Sequence, residues 1–488
     1  MERNRSEAPG REALAGTVRV FAAEALVFPT GLVTVAFLTR RLGADGYGVF
    51  SLAAMMVAWL EWGVVSLFSR ATILTIRGSE DWKPLATRIL HLHLAVGVLS
   101  GAVFFLAAPL VARALSLPSL TVYLRLFSLD VPLFVLAHGH RNVATGLGLF
   151  GHRARTVATR WIARMVMVLV LVGLGLSVTG AIVATIAASA FELAVARRYD
   201  RAPFFSRPRA SARGFLSASA PLVFAAIALK ILQDADLFAL KALGASSAEA
   251  GVFAGARNLA LVTNVFSAAF SPLILSTLVR LVHSGDVDHA RDMSRDALRL
   301  MLLILPIVSL VAGASDGIVR LVLGAEFAGA APLLARLVFG GLGVALMVVG
   351  GGILVAGGEL ARSAWIMGSL VPLTIAAHVW AIPRYGALGA AWVTTGAMTV
   401  GALATLIAVA RMWGVAPPAA TVARVALVSL AAGLSARAWP AWGWGLVAQL
   451  ALLAGAIPLT LLALGEFSRR EIALARAAVF GNRGGSLR

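Results

Sequence analysis

Apolar runs of about twenty residues recur along the chain, broken by short polar stretches rich in glycine and arginine. A helix of about that length crosses the hydrocarbon core of a bilayer. The pattern predicts fourteen spans near residues 14–38, 49–69, 89–112, 120–140, 157–176, 178–196, 214–240, 251–276, 300–317, 332–356, 364–382, 387–410, 420–438 and 443–465. Fourteen is favoured over twelve because "VARVALVSLAAGL" and "GLVAQLALLAGAIPLTLLALG" are both long enough to insert. The alternating pattern of barrel strands is missing from the sequence. The fold class expected is an all-α polytopic membrane protein.

Composition strengthens that reading. Of 488 residues, 59% are hydrophobic and 13% charged, against about 25% charged in a typical soluble domain. A net charge of +19 would suggest nucleic acid in a soluble protein. Here the basic residues lie in loops and tails, so membrane topology accounts for them and no nucleic-acid partner is expected. With no cysteine, disulfides, thiolate metal sites and a cysteine nucleophile are excluded, and neither metal nor cofactor is expected. The N-terminus lacks a short apolar core followed by a small-residue cleavage site, and reads as a stub entering a retained first helix.

Loop charge fixes the expected orientation. Arg3, Arg5 and Arg11 precede span one; Arg70, Arg77, Lys83 and Arg88 follow span two; Arg141, Arg153, Arg155 and Arg160 follow span four. The sixth loop, "RRYDRAPFFSRPRASAR", and the C-terminal tail are also basic, whereas the alternate loops hold few cations. By the positive-inside rule both termini are cytoplasmic, as an even span count requires.

The stretch "FLTRRLGADGYGVFSL" at 37–52 has a relative in "FALKALGASSAEAGVFAGA" at 238–256. Likewise "GHRAR" at 151–155 answers "GELAR" at 358–362, and "TGAIVATIAASA" at 179–190 answers "LGAAWVTTGAMT" at 388–399. Collinear pairs predict an internal duplication, with parallel six-helix halves related by an axis along the membrane normal. The expected organisation is a lobe over 1–200, a basic linker over 201–213, a second lobe over 214–411, two further spans over 412–465 and a basic tail over 466–488. Gly43, Gly46 and Gly48 predict a tight reversal between spans one and two, with Asp45 favouring a turn or helix start. Gly48 also lets the next helix begin close against a neighbour.

At this point the sequence resembles a known family. "LTRRLGADGYGVFSLA", "DLFALKALGASSAEAGVFAGARNL", "YGALGAAWVTT" and Pro272 in "FSPLIL" are similar to the polysaccharide (Wzx-type) flippases of the multidrug/oligosaccharidyl-lipid/polysaccharide exporter superfamily. The resemblance covers spans one to twelve, and its motifs are diffuse, with no catalytic fingerprint. It implies a V-shaped pair of bundles that moves a polyprenyl-pyrophosphate-linked glycan from the inner to the outer leaflet, without chemistry. The partners implied are membrane lipids and the glycosyltransferases and polymerase acting on the same glycan. No P-loop, zincin or nucleophile-elbow motif contradicts that. Rivals in the same superfamily are a peptidoglycan-precursor flippase and a multidrug antiporter; from another class, a membrane glycosyltransferase or polymerase would need larger loops.

Ionisable residues within spans carry functional hypotheses because they are costly there. Glu24, Glu61 and Asp130 are placed near the midplane of the first half and are the candidate ion-coupling acids, with pairing to Arg19, Arg125 or Arg164 as the structural alternative. Lys230 and Asp234, four apart on one helix face, predict an ion pair. Asp236 and Arg257 on adjacent spans predict another. The resemblance gives Arg257 a second reading as a cavity cation for pyrophosphate, since its planar fork binds phosphate oxygens; Arg19 and Arg164 would meet the same headgroup. His138 and His140 read as interfacial, and Trp439, Trp442 and Trp444 as interface anchors.

Overall fold

The computed structural model describes residues 19–20, 22–77, 79, 81–200, 220–468 and 471. The N-terminal arginines, the expected linker at 201–213 and most of the tail lie outside them.

Every described element is helical, as lipid demands of backbone that has no water to bond. In chain order they are α1 (Val27–Arg77), α2 (Trp82–Ala114), α3 (Leu120–Phe127), α4 (Asp130–Gly146), α5 (Phe150–Gly173), α6 (Ser177–Asp200), α7 (Ala220–Ala242) and α8 (Ser247–Ala260). They continue as α9 (Asn264–His283), α10 (Val287–Leu302), α11 (Leu305–Gly313), α12 (Ser315–Val322), α13 (Ala331–Ala356), α14 (Leu360–Trp413), α15 (Ala419–Ala438) and α16 (Trp444–Ala463). Among the described residues, 10 helices are long and apolar enough to cross a membrane. Two of these are double spans: α1 folds back at Gly43 and α14 at Gly386. With α7 and the α8–α9 pair added, the arrangement accommodates the fourteen spans that hydropathy predicts.

The expected reversal after span one is therefore not a loop. Helix runs up to Gly43 and resumes directly after it, and that single residue, at φ 67 and ψ −178, makes the corner. Only glycine adopts this backbone region readily. Gly46 and Gly48 are ordinary helix instead, and the Glu326 carboxylate accepts from the Ala44 N–H at 3.0 Å, taking up a donor freed by the corner. Related corners fall at equivalent places of the two halves: Gly43 and Gly244, Gly148 and Gly358, Gly175 and Gly386 all have positive φ.

Within the first half, α1 packs on α4, α5 and α6; within the second, α14 packs on α7 and α13. The principal contact between halves is α1 on α8. There Gly48 faces the Ser247 carbonyl and Gly251 faces the Ala44 carbonyl, so closely that a Cβ on either glycine would overlap backbone. Arg40 reinforces this end by donating to the Leu321 carbonyl at 2.5 Å, and Tyr47 sets its ring edge against Phe327 at 6.0 Å. The last two helices, α15 and α16, pack on α11. Large apolar side chains such as Leu99, Leu106, Leu110 and Leu174 face outward, as a lipid-facing surface requires. Trp439, Trp442 and Trp444 are exposed at the α15–α16 turn, where interface anchors belong.

Candidate functional site

Beneath the glycine crossing, a cavity of about 600 Å³ opens between the two halves, walled by α1, α5, α7, α8, α13 and α14. Its lining is mostly apolar, which makes the few charges in it conspicuous: Arg164, Lys230, Asp234, Asp236 and Arg257. The spacing on α7 puts Lys230 and Asp234 on one face, and they pair at 2.5 Å as the sequence predicts. Asp234 also accepts from Arg257 Nη2 and, at 2.8 Å, from Trp59 Nε1. One carboxylate thus gathers three donors from three different helical segments.

Arg257 pairs with Asp236 at 3.8 Å, the ion pair that the sequence predicts, and its other terminal nitrogen makes a closer pair with Asp234 that the sequence did not suggest. Asp236, two residues further along α7, turns toward α14, where Thr394 donates to it at 3.2 Å; the Leu237 N–H also donates to it at 2.7 Å. Arg164 does line the cavity, beside Trp161. Arg19 does not: it is exposed and outside the lining. The halves are also tied across the cavity by Asn258, which donates to the Tyr47 hydroxyl at 2.8 Å.

A second polar cluster lies inside the first half. Glu61 and Asp130 are both buried, at 6% and 1% exposure, and their carboxyls are neighbours, with Ser189, Arg160 and Arg164 around them. The two carboxyls stand within hydrogen-bond reach of each other, and Ser189 stands within reach of Asp130. Beyond them Arg160 donates to Ser189 at 2.8 Å and to Glu192 at 3.2 Å, and Arg141 pairs with Glu192 at 3.1 Å. His138 continues the chain, contacting Arg141 and, at 3.2 Å, Ser69. His140 is buried rather than interfacial, because α4 turns this polar face into the bundle. Glu24 is not part of the cluster. Its side chain is 43% exposed and pairs with Arg153 at 3.3 Å near the start of α5, since the helix entering span one reaches the bundle edge there.

The sequence reading passed over Glu192, Trp59 and Glu326, and took Arg141 and Arg160 only as loop cations, whereas Arg160 is buried within α5. Glu192 carried a signal, an acid inside the apolar run "AFELAV"; the others acquire meaning only through partners distant in sequence. Among the described residues, no group of three or more His, Asp or Glu side chains is placed to hold a metal ion.

A family model described as "Polysaccharide biosynthesis protein" matches residues 37–332, more than half of the chain. The chain belongs to that family. The chain overlays on a lipid II flippase, MurJ in an inward closed conformation, with a TM-score of 0.75 and 13% identity. The overlay covers 94% of this chain and 100% of that one. A mutant of the Vibrio cholerae MATE transporter VcmN gives 0.61 at 15% identity, covering 83% and 97% of the two chains. A superfamily transporter from Pyrococcus furiosus, described by the reversed polarity of its binding pocket, gives 0.61 at 14%, covering 83% and 96%. At such identities the likeness is one of fold. No curated protein sequence matches the chain significantly.

Proposed function

We propose that this protein moves a polyprenyl-pyrophosphate-linked oligosaccharide from the inner to the outer leaflet of the cytoplasmic membrane, by alternating access and without a covalent step, for surface polysaccharide synthesis. The observation that carries the reading is Arg257, with Lys230 and Arg164, beside Asp234 and Asp236 in a mostly apolar cavity between two halves of a flippase fold. Such cations suit a phosphate headgroup, and the lipid tail stays in the bilayer. Arg19, outside the cavity, is assigned to the entry side. Both termini are placed in the cytoplasm by the loop charges. The Gly48–Gly251 crossing then lies at the outer side, and the conformation is one closed outward. The lobes are taken as 1–200 and 214–411 joined by 201–213, with 412–465 and the tail 466–488 appended.

Ion coupling is assigned to Glu61 and Asp130 instead of Glu24. Two buried carboxyls within hydrogen-bond reach of each other can share one proton, whose arrival changes the charge of the bundle. Glycosyltransferases that build the glycan and a polymerase that extends it are the partners this role implies.

Proteoliposomes carrying a polyprenyl-pyrophosphate-linked oligosaccharide test the function, with an impermeant lectin reporting glycan on the far leaflet. Transport by the parent and its loss in Arg257→Ala are expected; equal accumulation with and without protein refutes the reading. Transport of lipid II is the second reading, favoured by the full-length overlay on a lipid II flippase, and the same vesicles loaded with lipid II decide between the two.

A further inference from the structure

We propose that Asp234 is an internal stand-in for the substrate's anionic group, and that displacing it unties the two halves at the cavity. The inference rests on the phosphate reading of the cavity given above.

Asp234 holds what an entering phosphate would need. Lys230 at 2.5 Å and Arg257 both point their donors at it, so one carboxylate offsets one of their two positive charges. Asp234 is 4% exposed, and its third donor, Trp59 Nε1 at 2.8 Å, comes from the other half of the molecule. Lys230, Asp234 and Arg257 belong to α7 and α8, whereas Trp59 sits on α1 beyond the Gly43 corner. A phosphate anion and the Asp234 carboxylate cannot share Lys230 and Arg257 at contact distance without strong like-charge repulsion. The incoming anion takes the two cations, Asp234 swings away, and the indole loses its acceptor. What still joins the halves here includes the Tyr47–Asn258 hydrogen bond at 2.8 Å, a weak Arg257–Met55 contact at 3.9 Å and the Trp59–Phe238 ring pair at 6.4 Å. Binding and loosening of the halves are then one event. A ligand shifts a conformational equilibrium only through such differential contacts.

The test uses the full-length protein in detergent, with inorganic pyrophosphate as probe. Titration calorimetry gives affinity for the parent, Asp234→Asn, Arg257→Ala and Trp59→Phe. The chain has no cysteine, so spin labels at Arg155→Cys and Ala361→Cys, both exposed and one in each half, report the distance between halves without background.

Asp234→Asn should bind pyrophosphate at least about tenfold tighter, because a like charge in contact with the ligand is gone. Trp59→Phe should bind within a few-fold of the parent, yet show without pyrophosphate the distance distribution that the parent reaches only with it. Weaker binding by Asp234→Asn would mean that the carboxylate orders Arg257 for the ligand, and the stand-in role is wrong. An unchanged distribution in Trp59→Phe would remove the tie. Should Asp234→Asn fail to fold, the Trp59→Phe distances alone decide. If Arg257→Ala abolishes binding while Asp234→Asn matches the parent, only this proposal falls. If Arg257→Ala binds as the parent does, the phosphate reading of the cavity falls first.

Discussion

Single residues carry opposite demands in this chain, and glycine shows it best. Gly43 is needed for its backbone: Gly43→Ala, at φ 67 and ψ −178, should cost about 1–3 kcal/mol, seen as a lower unfolding temperature. Gly48 is needed for its missing side chain. Gly251→Val should force the Ala44 carbonyl away and open the α1–α8 contact. In a cell the expected outcome is that Ser51→Cys, inside the cavity, becomes reactive to an impermeant thiol reagent from outside. Continued protection would show that this crossing is not the seal. Both glycines were visible in the sequence, but only the backbone tells which property each supplies. Arg257 was equally visible as a cavity cation paired with Asp236, whereas its closer pair with Asp234 was not, because Asp234 and Asp236 differ only in which helix face each occupies. For Glu24, hydropathy gives depth along a helix and is silent about the direction a side chain faces, so its pair with Arg153 could not be read.

Elements were the most legible scale. Spans follow from apolar length alone, and most predicted runs coincide with a helix or half of a folded one, whereas 120–140, 251–276 and 300–317 each bridge consecutive shorter helices, and 14–38 and 214–240 begin outside the described residues. What apolar length cannot reveal is how the appended helices α15 and α16 are held. Glu466, just past α16, is buried and accepts from Arg299 on α10 at 2.7 Å, from Thr421 at 2.8 Å and from Arg424 at 3.1 Å. Burial opposes its charge, yet those hydrogen bonds outweigh it and hold the carboxyl below its ordinary value. A depressed acid stabilises the fold fully above the ordinary carboxylate range and loses that contribution as pH falls below it. Glu466→Ala should therefore lower stability at neutral pH by about 3 kcal/mol, as for a buried pair losing one partner. The difference from the parent should shrink in thermal melts run at progressively lower pH below about 4. A deficit independent of pH would mean that packing, not charge, holds this junction.

At the scale of the molecule, orientation and coupling are the testable properties. Ser79→Cys should react with impermeant reagent only in broken cells, and Tyr385→Cys, exposed beside the Gly386 corner, in intact ones; the reverse would invert the topology. Glu61→Gln should retain expression and pyrophosphate binding but lose the response of flipping to an imposed ion gradient, measured in proteoliposomes. An undiminished response would leave the Glu61–Asp130 pair a structural feature of the first half. The duplication could be read from motifs, but the meeting of one motif with its own counterpart could not, since that is a statement about space.

That meeting has a consequence for how such a chain arises. The carbonyl four residues before Gly251 packs on Gly48, and the carbonyl four residues before Gly48 packs on Gly251. Reciprocity of this kind is the signature of an isologous interface, in which each of two identical subunits offers the same patch to the other. A half-length ancestor bearing one copy of the hairpin would have found its partner in a second copy of itself, with a cavity already enclosed between them. Fusion of two such copies would free the sides to diverge, which fits the buried Glu61–Asp130 pair lying in one half while the cavity-lining Lys230 and Arg257 lie in the other.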